Sequence, residues 1–165
     1  MRPQPEPRAD ESPGTGLDDL DLGHLSVGEL LLIWALRMRL ARGPSGPVAG
    51  FRLAFGLCGV EAALASFEGL FGVLQRHCRC EVGLHAPGCR CVSLDEMTLA
   101  GVIAAFQAEA PLHALLMAAR LVEAVVLEGF LEHAKGLAVR LKAERLYLPV
   151  RPLAGCEGGQ PPSLH

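Results

Sequence analysis

The sequence of 165 residues is half apolar but only 5% aromatic, and its formal net charge is −3. A chain of this length is expected to form one domain, with a core that covers roughly two thirds of the unfolded surface. Most of the negative charge lies in residues 1–23, and the nearly neutral remainder argues against a nucleic-acid binder, which needs a basic face. Charges also interrupt the apolar runs before the roughly 20 residues of a membrane span.

Both ends of the chain have the composition of disordered tails. Residues 1–23 are rich in acids, proline and glycine, and residues 149–165 are rich in proline and glycine. Such segments cannot bury enough apolar surface to become ordered. We therefore expect a disordered acidic tail at 1–23, a helical domain at 24–148 and a disordered tail at 149–165. The first residues also lack the apolar run of a signal peptide, so a cytoplasmic, reducing location is expected.

The first predicted helix follows a capping box. In the segment Ser26–Glu29 the serine and glutamate have the spacing that satisfies free amide donors just before an apolar run. This pattern predicts a helix that starts near Val27 and stops at Gly43–Pro44. Three arginines near its end are expected to complement the negative carbonyl terminus: Arg37, Arg39 and Arg42.

Three further helices are predicted from apolar residues at helical spacing. The second runs from about 51 or 60 to 75, and its glycines predict close helix crossings or a break near Gly56–Gly59. The third follows the capping box Ser93–Glu96 and ends near Pro111. The fourth continues from Pro111 to about Leu146, with bends at Gly129 or Gly136. The predicted fold is an all-α bundle of four to five helices, with a cysteine-rich loop, 77–91, between the second and third helices.

That loop holds two Cys-x-Cys arms separated by eight residues. Cys78 and Cys80 form the first arm, and Cys89 and Cys91 form the second. Glycine and proline in the spacer allow the chain to reverse, so the four thiolates could surround one zinc ion. We therefore predict zinc ligands at all four cysteines. His77 and His85 are possible substitutes for one or two of them, and arginines flanking the arms would offset the thiolate charge: Arg76, Arg79 and Arg90.

The single-residue gaps depart from the usual Cys-x(2–4)-Cys spacing of zinc sites, which leaves alternatives open. Four thiolates could hold an iron–sulfur cluster for electron transfer, although the spacing matches neither common ferredoxin pattern. The same cysteines could form a thiol-redox or metal sensor in which the first arm pairs with the second under oxidation. Cysteines without any bound species are the remaining possibility.

No catalytic constellation is recognisable in the sequence. It contains no nucleophile elbow, phosphate-binding loop or His-Glu-x-x-His run, and a zinc site made of four thiolates has no open position for a substrate. We expect a non-enzymatic protein whose metal stabilises the fold. Its surplus apolar helix faces are expected to bind a second copy or another protein.

Overall fold

The computed structural model describes residues 21–43, 48–79 and 81–151. These residues form six α-helices, so the all-α prediction is confirmed and the number of helices is one higher than the largest predicted. The helices are α1 (Val27–Arg42), α2 (Ala49–Leu57), α3 (Leu64–His77), α4 (Leu94–Gln107), α5 (Pro111–Leu121) and α6 (Leu127–Ala143).

Both predicted capping boxes are present. At the start of α1 the Ser26 hydroxyl accepts the Glu29 N–H at 3.3 Å, and the Ser26 N–H donates to the Glu29 carboxylate at 2.7 Å. At the start of α4 the Glu96 N–H donates to Ser93 Oγ at 3.1 Å, and the Ser93 N–H donates to the Glu96 carboxylate at 2.9 Å. Local sequence therefore determines where these two helices begin.

The second predicted helix is two helices. α2 ends at Leu57, and Gly59 has a φ of +74°, a left-handed conformation that glycine adopts without steric cost. A short 3₁₀ turn, Glu61–Ala63, then leads into α3. The break lies where the glycines indicated it.

The fourth predicted helix is also two helices, and here the prediction of one continuous helix was wrong. The chain leaves α5 at Val122, which is extended and forms an isolated antiparallel bridge with Cys78, and a 3₁₀ turn then leads into α6. Gly129 lies inside α6, as does Gly136, so neither glycine marks the break. The Leu121 carbonyl accepts the Arg79 N–H, and the Glu123 N–H donates to the His77 carbonyl, so long-range pairing replaces the local helix at this point.

The core lies among all six helices and contains a row of aromatic rings. Phe67 of α3 stacks on Phe51 at 6.2 Å and on Phe71 at 6.3 Å, and tilts against Phe55 at 5.7 Å. α3 packs closely on α6, where a Cβ added to Gly69 would lie within 2.6 Å of three atoms of the His133 ring. A glycine in a helix crossing was predicted, and Gly69 confirms it.

The predicted tails lie mostly outside the described residues. Where they are described they contact the domain: Asp21 forms an isolated bridge with Cys91, and Arg151 pairs with the buried Glu29 of α1. Residues 1–20 and 152–165, with Cys156, lie outside the described part. Within the described part, none of the helices combines the length and the apolar character that crossing a bilayer requires.

Candidate metal centre

Three side chains of the cysteine-rich loop converge. One ligand atom each from His85, Cys89 and Cys91 lies within 4.8 Å of the other two, and the cysteines are free thiols. His85 and Cys89 are half-buried, whereas Cys91 is exposed. The second arm and one of the two predicted substitute histidines therefore form the candidate ligand set.

A tight turn brings these residues together. The Cys89 N–H donates to the Ala86 carbonyl at 2.9 Å, so Pro87 and Gly88 occupy the corner between His85 and the second arm. Proline is pre-organised for the first corner position of such a turn, and the glycine after it adds no side chain to clash. A turn is therefore present at Pro87–Gly88, as predicted, and it brings the second arm towards His85.

The three ligand atoms are close enough for a small ion such as zinc. Tetrahedral zinc binds thiolate sulfur at about 2.3 Å and imidazole nitrogen at about 2.0 Å, which sets two sulfurs about 3.8 Å apart. Cys89 Sγ and Cys91 Sγ are 2.8 Å apart, so they would have to separate by about 1 Å. Rotation of the two short side chains about their Cα–Cβ bonds changes this separation without a change in the backbone.

Cys78, the described cysteine of the first arm, has its main chain paired with another part of the fold. Cys78 pairs with Val122, and the Arg79 side chain donates to the Ala119 carbonyl of α5 at 2.8 Å. Among the described residues Cys78 is not part of the group formed by His85 and the second arm, and Cys80 lies outside the described residues. His77 lies 3.6 Å from the Glu123 carboxylate instead. Participation of the first arm in a metal site stays a prediction.

A buried ion pair lies directly behind the ligand residues. The Arg37 side chain of α1 is 2% exposed and that of Glu96 of α4 is fully buried, and Arg37 Nε donates to Glu96 Oε1 at 2.6 Å. A second bond, from Arg37 Nη2 to Glu96 Oε2 at 2.7 Å, makes the pair bidentate. A bidentate pair of this kind has two parallel charge-assisted hydrogen bonds, which add geometric specificity as well as energy.

This pair also holds the loop backbone. Arg37 donates to the carbonyls of Cys89 and Cys91, each at 2.6 Å. Glu96 accepts the His85 N–H at 3.0 Å. The main chain of every candidate ligand residue is thus hydrogen-bonded to one member of the pair.

Further contacts hold the two ends of residues 83–91, the part of the loop that contains the candidate ligands. The Asp95 carboxylate accepts the Gly83 N–H at 2.7 Å, and the Ser93 hydroxyl donates to the Gly83 carbonyl. At the other end the exposed Arg90 pairs with Asp21 at 3.1 Å. The backbone of residues 83–91 is therefore held mainly by groups at the start of α4 and by Arg37.

Burial and hydrogen bonding shift the pKa values of these groups. Burial opposes ionisation of Glu96, but hydrogen bonds from Arg37 and from the Ser93 and His85 amides outweigh it and lower its pKa. The bond to Glu96 raises the pKa of Arg37 despite its burial. The hydrogen bond between the thiols raises the pKa of Cys91, which therefore carries less thiolate than an ordinary cysteine at neutral pH.

Arg37 was not recognised from the sequence as part of the site. It was expected to complement the carbonyl end of α1, yet it points into the core between α1 and α4. Its position directly after a long apolar run is a signal of burial, but nothing local identifies the partner, because Glu96 lies 59 residues away. Of the arginines expected to offset thiolate charge, Arg90 pairs with Asp21 and Arg79 bonds to the Ala119 carbonyl.

No protein-family model matches the chain, and searches of curated proteins and of solved structures found no match either. What the protein does must therefore be inferred from its own residues.

Proposed function

We propose that this is a non-enzymatic cytoplasmic protein that binds one zinc ion through His85, Cys89 and Cys91, and that the metal stabilises the helical domain. The observation that carries this proposal is the convergence of one imidazole and two thiols on a loop whose backbone is already fixed. Mixed nitrogen and sulfur ligands are typical of zinc. The fourth ligand in the proposal comes from the first arm, Cys78 or Cys80, in keeping with the four-coordinate geometry of structural zinc.

An iron–sulfur cluster fits these residues less well. Such clusters are held by four thiolates, or by two thiolates and two histidines in one class. The group in the described part of the chain offers two thiols and one imidazole. A freshly purified protein without visible absorbance would rule out the cluster directly.

The proposal is tested by measuring metal content and stability together. Native mass spectrometry and elemental analysis of the purified protein should show one zinc per chain. Cys89→Ser and Cys91→Ser should lose the ion, and His85→Ala should bind it more weakly. Because a structural zinc contributes roughly 10 kcal/mol or more of apparent folding free energy, thermal stability should fall with the metal.

Cys58 provides a matched control, since it is a half-buried free cysteine that packs against the core, outside the candidate ligand group. Cys58→Ser should keep its zinc. Parallel Cys78→Ser and Cys80→Ser variants identify the fourth ligand. Full zinc content and unchanged stability in the Cys89→Ser and Cys91→Ser variants would contradict the proposal.

A second candidate function is thiol-redox sensing within the second arm. The 2.8 Å separation of Cys89 Sγ and Cys91 Sγ favours it, because two thiols so close can form a disulfide. Peroxide would take two electrons and two protons from the pair and be reduced to two waters. The raised pKa of Cys91 disfavours fast oxidation, since the thiolate is the nucleophile. Rapid, reversible disulfide formation with loss of metal on peroxide treatment would favour sensing, and resistance would favour a structural site.

We also propose that two copies associate through the groove between α5 and α6. This groove has a volume of about 750 Å³ and is lined mainly by apolar side chains, including the exposed Leu112 and Leu115. Its lining also carries Glu128, Glu132 and Lys135. Charges of both signs let the same surface on two copies be complementary about a twofold axis.

Light scattering on a size-exclusion column tests this association. The wild type should elute as a dimer, and Leu112→Glu should be monomeric because it places a charge in the groove. Leu53→Glu, at a leucine of α2 that is as exposed as Leu112 and lies outside the groove, should remain dimeric. A monomeric wild type at high micromolar concentration would refute self-association.

A further inference from the structure

We infer that the buried Arg37–Glu96 pair is a positioning device for the metal site: it holds the main chain of all three ligand residues and so sets the zinc affinity. This inference rests on the proposed zinc function and adds two residues that do not themselves bind the ion. It also links the site to the packing of α1 against α4.

Glu96 and Arg37 form hydrogen bonds to the main chain of different ligand residues. Glu96 Oε1 accepts from Arg37 Nε and from the His85 N–H, while Glu96 Oε2 accepts from Arg37 Nη2 and from the Ser93 N–H. Arg37 Nη1 donates to the Cys89 carbonyl, and Nη2 donates to the Cys91 carbonyl. The histidine is thus fixed by the carboxylate and the two cysteines by the guanidinium.

Arginine is the side chain suited to this arrangement. Its planar fork can face a carboxylate on one edge and reach two carbonyls with the remaining donors. A lysine ammonium is a compact charge and cannot match that planar geometry. The arrangement also leaves both cysteine side chains free to turn towards an ion, because only their carbonyls are bonded to Arg37.

Fold stability alone does not account for the pair. Removing two charges from water is costly, and apolar residues in place of a buried ion pair are often no less stable. This pair, however, forms hydrogen bonds that apolar residues cannot form. These bonds all involve ligand residues or the capping box of α4. Partners that orient metal ligands typically change metal affinity 10- to 100-fold when they are removed.

The chain contains a second pair that serves as a control. Glu29 is likewise a buried capping-box glutamate, and Arg151 donates to both of its oxygens, at 2.8 and 3.1 Å. Arg151 also donates to a carbonyl, that of His24, rather than to the ligand loop. The two pairs therefore share their chemistry but only one of them holds the candidate ligands.

The test compares zinc affinity in two double variants. Arg37→Met/Glu96→Gln removes both charges, which avoids an unpaired buried charge, and glutamine can still complete the capping box. Glu29→Gln/Arg151→Met makes the same change at the control pair. Affinity for Zn²⁺ is measured by competition with a chromophoric chelator, and circular dichroism of the zinc-loaded proteins checks that each is folded.

We expect zinc affinity to fall about 10- to 100-fold in Arg37→Met/Glu96→Gln and to stay within about twofold of wild type in the control. The Co²⁺ absorption spectrum of the first variant should also change, because ligand geometry is altered. Wild-type affinity in the folded Arg37→Met/Glu96→Gln variant overturns the inference, as does an equal loss in the control.

If the double variant does not fold, zinc affinity is measured in Arg37→Lys instead. It keeps the charge beside Glu96 but loses the two-carbonyl fork, so the same fall in affinity is expected and wild-type affinity overturns the inference. Failure of the zinc proposal is distinguishable, because the wild-type protein itself would then bind no zinc.

Discussion

Replacement of Gly69 by alanine tests how closely α3 and α6 pack. A Cβ at this position would lie 2.3, 2.5 and 2.6 Å from Cε1, Nδ1 and Nε2 of His133. Real side chains do not approach so closely, so the imidazole or the helix must move. Overpacking of this kind typically costs about 1–3 kcal/mol, while alanine gains about 1 kcal/mol over glycine inside a helix. We expect Gly69→Ala to lower the free energy of unfolding by about 1 kcal/mol.

Gly72 is the matched control for this change. It lies in the same helix, and a Cβ there would meet only the end of the Arg76 side chain, at 3.4 Å. Gly72→Ala should therefore raise the free energy of unfolding by up to about 1 kcal/mol, since the helix-propensity gain is not opposed by a clash. The two variants should differ by about 2 kcal/mol in urea denaturation followed by circular dichroism.

A double variant identifies the clash. In a His133→Ala background the ring is absent, so Gly69→Ala should lose its cost and become neutral or stabilising. The difference between the two backgrounds measures the coupling of the two residues. The packing argument is refuted if Gly69→Ala is as stable as Gly72→Ala in the wild-type background.

Two further predictions concern the capping boxes. Burial opposes ionisation of Glu29, but bonds from Arg151 and the Ser26 amide lower its pKa. The stability that this carboxylate provides is therefore present above its unfolded pKa, near 4.3, and is lost as pH falls through the lower folded value. Glu29→Gln should lose less stability than wild type between about pH 5 and pH 3 in urea titrations, and equal losses would refute the assignment. Ser26→Ala should cost about 1 kcal/mol as a lost cap, whereas Ser93→Ala should cost more, because the Ser93 hydroxyl also donates to the Gly83 carbonyl; equal costs in denaturation would show that this extra bond contributes nothing.

The candidate site was predictable only in part. The Cys-x-Cys arms and His85 were recognisable because soft ligands at short spacing are rare, and the turn at Pro87–Gly88 follows from residue type alone. What brings ligands together within 4.8 Å is the loop conformation, which depends on hydrogen bonds to distant side chains. The spacing of residues along the sequence does not reveal these hydrogen bonds.

The sequence by itself determined the features that depend on near neighbours. The starts of α1 and α4 follow from Ser26 and Ser93 three residues before a glutamate, and the end of α2 follows from nearby glycines, because caps and left-handed turns are local interactions.

Tertiary structure decided the features that depend on residues distant in the sequence. α5 ends at Leu121 without a proline or glycine, because the chain there pairs with the segment after α3. Arg37 can pair with Glu96 only when α1 packs against α4, since 59 residues separate them. Such contacts form between groups that are distant in the sequence and come together only in the folded chain. A local sequence pattern therefore cannot predict these contacts.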